Sequence, residues 1–108
     1  MYAEELLRAG YSVSEAHNGL QAIEKAAELE PDAIVTDLGL PGIDGYELCR
    51  RLHRDERLGR IPIVAITGRY FSEADVARAH REGCRAVLIK PFDADELVAE
   101  LRKVLNQE

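Results

Sequence analysis

Ala33-Ile34-Val35-Thr36-Asp37-Leu38-Gly39-Leu40-Pro41-Gly42-Ile43-Asp44-Gly45 is the stretch whose reading decides the fold. An apolar, β-branched run ends on a carboxylate, and two turn pairs, Pro41-Gly42 and Asp44-Gly45, then carry the chain into a helical pattern. Two further runs have the same form: Ile63-Val64-Ala65-Ile66 ends on Thr67, and Ala86-Val87-Leu88-Ile89 ends on Lys90 and Pro91. Short continuous apolar segments of this kind suit parallel strands covered on both faces. In an open α/β sheet the ligand crevice lies outside the carboxyl ends of the strands. A carboxylate able to act as a nucleophile, a hydroxyl and a primary amine are therefore expected on one rim. That set suits a phosphoryl group, which Asp37 would accept, Thr67 would hydrogen-bond and Lys90 would neutralise.

Helix starts are legible outside the apolar runs. Asn18 with Gln21, Asp44 with Glu47, Ser72 with Asp75, and Asp93 with Glu96 each pair a polar cap with an acid or amide three residues later, the capping-box pattern or a close variant. These signals predict helices near 2–9, 18–29, 44–56, 72–82 and 93–106, and strands near 11–16, 33–37, 62–66 and 86–89. Alternation of this kind reads as a parallel sheet with right-handed crossovers. In the last helix Ala94, Leu97, Val98, Leu101, Val104 and Leu105 fall on one stripe, which should face the sheet. Pro31 is expected to stop the second helix, and Gly83 to cap the fourth in a left-handed conformation.

With 108 residues and 46% hydrophobic content, the chain suits a single domain, 1–108, with its own core. The net charge of −6 argues against direct nucleic-acid binding, which needs a basic face. Cys49 and Cys84 have no metal-ligand spacing and read as small buried hydrophobes. His17, His53 and His80 form no ligand motif. No long apolar segment or signal peptide is visible, so the cytoplasm is the expected place and a membrane partner is not.

The segment Asp37 to Gly45, Thr67 standing 30 residues on, and Lys90-Pro91-Phe92 together resemble the receiver domain of two-component response regulators. The likeness runs from Met1 to the last helix. It implies a flavodoxin-like, doubly wound parallel sheet of order 2-1-3-4-5 and a phosphoryl group taken onto Asp37 from a histidine kinase or a phosphotransfer protein. It also implies Mg²⁺ beside Asp37 with the Gly39 carbonyl as a main-chain ligand, a cis Lys90-Pro91 bond, and a partner surface, for an output protein or a second copy, on the 72–106 face. Such a protein is a phosphoacceptor with at most autophosphatase activity, and not an enzyme in the usual sense.

The sequence departs from that family in two places. Receivers open with a strand that ends in two or three acids and holds Mg²⁺. This chain opens at Met1-Tyr2-Ala3-Glu4-Glu5-Leu6-Leu7, which resembles the latter part of the first helix. A start codon assigned too late, a truncated record and a strand borrowed from a partner are the three explanations, the first two being the plainer. Without the acids, Mg²⁺ binding would be weak or lost. The second departure is Val87, at the position where receivers often carry an aromatic switch residue. Tyr70 or Phe71 is the substitute the sequence offers.

Other functions are weaker on the residues. A pseudo-receiver that keeps the fold as a protein-interaction module, without Mg²⁺ or phosphorylation, is the main alternative. A haloacid-dehalogenase-type phosphatase needs a second Asp where Gly39 stands. A nucleotide-binding flavodoxin-like protein needs a phosphate-cradling glycine loop that the chain lacks.

Overall fold

The structure is a computed structural model that describes residues 3–38, 45–68 and 72–106. Its elements are α1 (Ala3–Arg8), α2 (Gly19–Leu29), β1 (Ile34–Asp37), α3 (Gly45–Arg54), β2 (Ile63–Thr67), α4 (Glu73–Arg81), β3 (Ala86–Ile89) and α5 (Ala94–Leu105). The strands form a parallel sheet of order β1-β2-β3. Val35 pairs with Val64, and Val64 in turn with Ala86.

The period of two along β2 divides the core. Ile63 and Ala65 pack with Ala26 of α2, Leu48, Cys49 and Leu52 of α3, and Ala79 of α4. Val64 points the other way, toward Leu6 of α1 and Leu97, Leu101 and Val104 of α5. Every residue of β2 is buried, as a central parallel strand with helices on both faces requires. The α5 stripe read from the sequence is the buried face: Leu97, Leu101 and Val104 are inside, and Val98 packs against them.

The caps do what the sequence predicts, with one shift. Ser72 and Asp75 form a full capping box, and Asp93 accepts from Glu96 N at 2.9 Å. Asn18 accepts from Gln21 N at 2.9 Å, but the Gln21 amide oxygen returns to His17 N at 2.6 Å instead of to Asn18. Asp44 lies outside the described residues. Glu30, at φ +46, closes α2 just before Pro31. Gly83 has φ +110, and a Cβ there would sit 2.7 Å from the His53 side chain. Both the backbone conformation and the close approach call for glycine.

Two elements depart from expectation by more than one residue at an end. α3 ends at Arg54 because the Asp55 carboxylate accepts from Arg57 N at 2.8 Å and Leu58 N at 3.0 Å, turning the chain two residues early. Residues 11–16, expected as a strand, join no ladder among the described residues. In the 2-1-3-4-5 order a strand at this place would pair with a first strand, and no such strand stands between 11–16 and β1 among the described residues. A strand exists only through its neighbour's hydrogen bonds. The segment is held by other contacts. Tyr11 N donates to Leu6 O at 3.1 Å, Lys25 Nζ donates to Glu15 O, and Tyr11 and Val13 still pack on the α1/α5 cluster.

The capping box on α4 sets a pH dependence. Hydrogen bonds from the Ser72 backbone and hydroxyl, in that order, hold the Asp75 carboxyl below its ordinary value of 3.8, with Arg78 adding to the effect against desolvation. A carboxyl depressed in the folded state stabilises it above the unfolded pKa and stops doing so as pH falls through the folded pKa. Asp75→Asn should therefore unfold at lower denaturant than the parent at neutral pH, and the gap should close in acid below 3.8. Urea titrations at several pH values check this; a gap independent of pH would remove Asp75 from the account.

Candidate functional site

Parallel pairing brings three chain ends to one rim. Asp37 pairs with Ile66, and Thr67 with Ile89, so Thr67 stands one step beyond Asp37 and level with the residue before Lys90. Backbone bonds pin this rim: Leu38 N donates to Ile66 O at 3.0 Å, and Lys90 N to Thr67 O at 2.9 Å. The Lys90-Pro91 peptide is cis, as the resemblance implied.

Lys90 Nζ reaches across the end of β2 to Asp37 Oδ2 at 3.3 Å. The two side chains are 47% and 45% exposed, and an exposed ion pair contributes about 0–1 kcal/mol. Fold stability is therefore a poor reason for this pair to exist. Its chemical consequence is larger, because an ammonium in contact with a carboxylate is already placed to neutralise a charge added to that carboxylate.

Thr67 is 1% exposed, and its hydroxyl is buried with no hydrogen-bond partner among the described residues. Leaving a buried hydroxyl unsatisfied costs about 1–3 kcal/mol. At a strand end beside a carboxylate and an ammonium, such a group is what an incoming oxygen would satisfy. Next to it, a Cβ built on Gly68 meets nothing within 4 Å among the described residues.

Gly45 was read from the sequence only as part of a turn pair, and the structure gives it a second role. A Cβ there would lie 2.4 Å from Leu38 Cα and 2.9 Å from Asp37 O. The first turn of α3 thus rests directly on the strand end that carries Asp37. Sequence reasoning also missed Tyr46, whose hydroxyl donates to Asp75 O at 3.3 Å and whose ring lies 4.1 Å from the Arg78 guanidinium carbon. These contacts tie α3 to α4 beside the rim. A Tyr directly after the Asp-Gly turn was the available signal, but only the fold shows what its ring meets.

Gly39, Pro41, Gly42, Tyr70 and Phe71 lie outside the described residues. Val87 is half-buried and packs on the α2/α3 cluster. Among the described residues no group of three or more His, Cys, Asp or Glu could hold a metal ion. Mg²⁺ needs near-octahedral oxygen ligands and is usually held by one or two carboxylates with waters and phosphate oxygens. Asp37, already in contact with Lys90, falls short of that set, and the described residues alone do not fit a magnesium site.

Comparison with known proteins agrees with the geometry. The family model for the response regulator receiver domain matches residues 1–102. The chain is 38% identical over 99 residues to the DNA-binding dual master transcriptional regulator RpaA of Synechocystis, covering 92% of this chain and 41% of that protein. It spans about half the length of the first curated relatives it matches, between 41% and 50%. Among solved structures, a candidate response regulator from Chloroflexus aurantiacus superposes with TM-score 0.90 at 33% identity, over 98% of this chain and 89% of that one. The receiver domain of the sensor histidine kinase PA1611 from Pseudomonas aeruginosa, with a magnesium ion coordinated in its active-site cleft, gives 0.86 at 31%, over 97% and 85%. The neighbours establish the flavodoxin-like architecture.

The unsatisfied hydroxyl yields a separable test. Thr67→Val keeps the shape and removes the orphan oxygen, so the fold should be as stable as the parent or more stable by about 1 kcal/mol. Labelling by a small phosphodonor should become slower. Denaturant midpoints and labelling rates check the two halves; a variant that is markedly less stable shows that the hydroxyl has a partner in solution.

Proposed function

Because the chain belongs to the response regulator receiver domain family, we propose that Asp37 is its phosphoacceptor in two-component signalling. The donor is the phosphohistidine of a sensor histidine kinase or a phosphotransfer protein. An Asp37 carboxylate oxygen forms a bond to phosphorus as the phosphorus–nitrogen bond breaks, and the imidazole leaves with the electron pair and takes up a proton. Lys90 moves its contact from the carboxylate to the phosphoryl oxygens, and the Thr67 hydroxyl donates to one of them. The observation that carries this reading is the 3.3 Å contact of Lys90 with Asp37 beside the unpartnered Thr67 hydroxyl.

The phosphoryl group leaves Asp37 either to water, a slow autophosphatase step, or back to a phosphotransfer histidine. No helix among the described residues is long and apolar enough to cross a membrane, which suits work in the cytoplasm. With a net charge of −6, this segment acts on nucleic acid only through another domain or protein.

A second reading, the pseudo-receiver that only binds proteins, draws on the lack of a metal-holding group among the described residues. One experiment separates the two. With acetyl phosphate and Mg²⁺, the parent chain should gain one phosphoryl mass and Asp37→Asn should gain none, while both show the same circular dichroism. Slow labelling that saturates only at high Mg²⁺ is expected from so sparse a donor set. No labelling of the parent at any Mg²⁺ concentration would favour the pseudo-receiver.

The partner surface, for an output protein or a second copy, is assigned to the face of α4, β3 and α5. Ala77 and Arg81 on α4 are exposed, as are Glu24 and Glu28 on α2. Charge reversal at Arg81 should weaken binding to the cognate partner severalfold, whereas reversal at Glu24 should not. Equal losses at both places, measured by titration calorimetry, would move the interface elsewhere.

A further inference from the structure

Cys49 and Cys84 are 35 residues apart in the chain, yet their Sγ atoms lie 2.8 Å apart. Sequence spacing made them two unrelated buried thiols, and the fold makes them a pair. Cys49 sits on α3 and is 0% exposed, while Cys84, in the turn between α4 and β3, is 4% exposed. No disulfide joins them. Their separation exceeds a disulfide bond by about 0.8 Å, so bond formation needs only a small movement of the two side chains.

The surroundings distinguish the two sulfurs. Cys84 belongs to a short surface turn, with Arg85 beside it exposed. Its backbone is fixed by Cys84 N donating to Ala79 O at 3.0 Å and by a hydrogen bond between its carbonyl and His80 Nδ1 at 3.0 Å. A hydrogen bond from Cys49 holds the Cys84 thiol below its ordinary value, against burial and the Glu82 carboxylate, which push it up. The thiolate is the nucleophile in cysteine oxidation. Cys84, the less buried of the two and next to the exposed Arg85, is the attacking sulfur, and Cys49 behind it is the resolving one.

We propose that Cys49 and Cys84 form an oxidation site that closes to an intramolecular disulfide in the presence of a peroxide. The Cys84 thiolate attacks one peroxide oxygen and the O–O bond breaks, leaving a sulfenic acid on Cys84 and, with a proton taken up, water or an alcohol. The Cys49 sulfur then displaces hydroxide from the Cys84 sulfenic sulfur. The S–S bond forms, and the Cys49 proton leaves with the hydroxide as a second molecule of water. Overall, two thiols are oxidised by two electrons and one peroxide is reduced. The new bond joins α3, whose first residue rests on the Asp37 strand end, to the turn that leads into β3, whose far end delivers Lys90. It thereby links two elements that position the rim, and the proposal does not depend on phosphoryl transfer.

The test treats the intact chain with hydrogen peroxide at neutral pH and then counts alkylatable thiols under denaturing conditions by mass. Two thiols before treatment should fall to none, in a monomer lighter by two hydrogens, with a non-reduced peptide joining the segments around Cys49 and Cys84. Dithiothreitol should restore both thiols. Cys49→Ser should leave a Cys84 sulfenic acid that dimedone traps, and Cys84→Ser should leave Cys49 unreacted at the same dose. If either variant does not fold, the thiol count and linked peptide of the parent decide the matter. Two thiols still alkylatable after treatment, or their loss to intermolecular dimers or to sulfinic acid without the linked peptide, would overturn the proposal.

Discussion

β2 has water on neither face, and the rest of the molecule is arranged around that condition. Its five residues are buried, so all its backbone groups must find partners within the protein. β1 and β3 meet that need from the two sides, in parallel and in a register that leaves no choice about where their carboxyl ends lie. A slip of one residue would turn Val64 away from α5 and Ala65 away from α3. The burial that stabilises the sheet therefore also places Asp37, Thr67 and Lys90 on one rim.

The rim itself adds little to stability. The ion pair between Lys90 and Asp37 is half exposed, and the Thr67 hydroxyl is unsatisfied, a net local cost. Groups that are weakly stabilising or destabilising in the resting fold, yet held in place by a rigid sheet, are poised for a ligand that completes them. A tetrahedral oxyanion on Asp37 would receive the Lys90 charge and the Thr67 hydroxyl together. Gly45 matters for the opposite reason: it lets α3 press on the strand end.

The edge of β1 away from β2 shows how a local pattern and a fold can part. Tyr11 and Val13 alternate with polar residues and pack on the core as a half-buried strand would. Without a hydrogen-bonded neighbour among the described residues, the segment stays out of the sheet and is tied down by Leu6 and Lys25. Helix ends part from the sequence for a smaller reason of the same kind, as when the Asp55 carboxylate captures two amides and stops α3 early.

Residue order alone determined the α/β alternation, the three described strands within about one residue, the caps at Asn18, Ser72 and Asp93, and the polar residue closing each apolar run. These are short-range properties: apolar period, β-branching, cap chemistry and backbone limits act within a few residues. It also determined the resemblance that names Asp37, Thr67 and Lys90. Only the tertiary structure decided that Lys90 touches Asp37, that the Thr67 hydroxyl has no partner among the described residues, that Tyr46 stacks under Arg78, and that Cys49 meets Cys84. Each of those joins residues 30 or more apart in the chain, or depends on the absence of a neighbour. Sequence pattern carries no distances across the sheet, because those are set when two faces of β2 are buried at once.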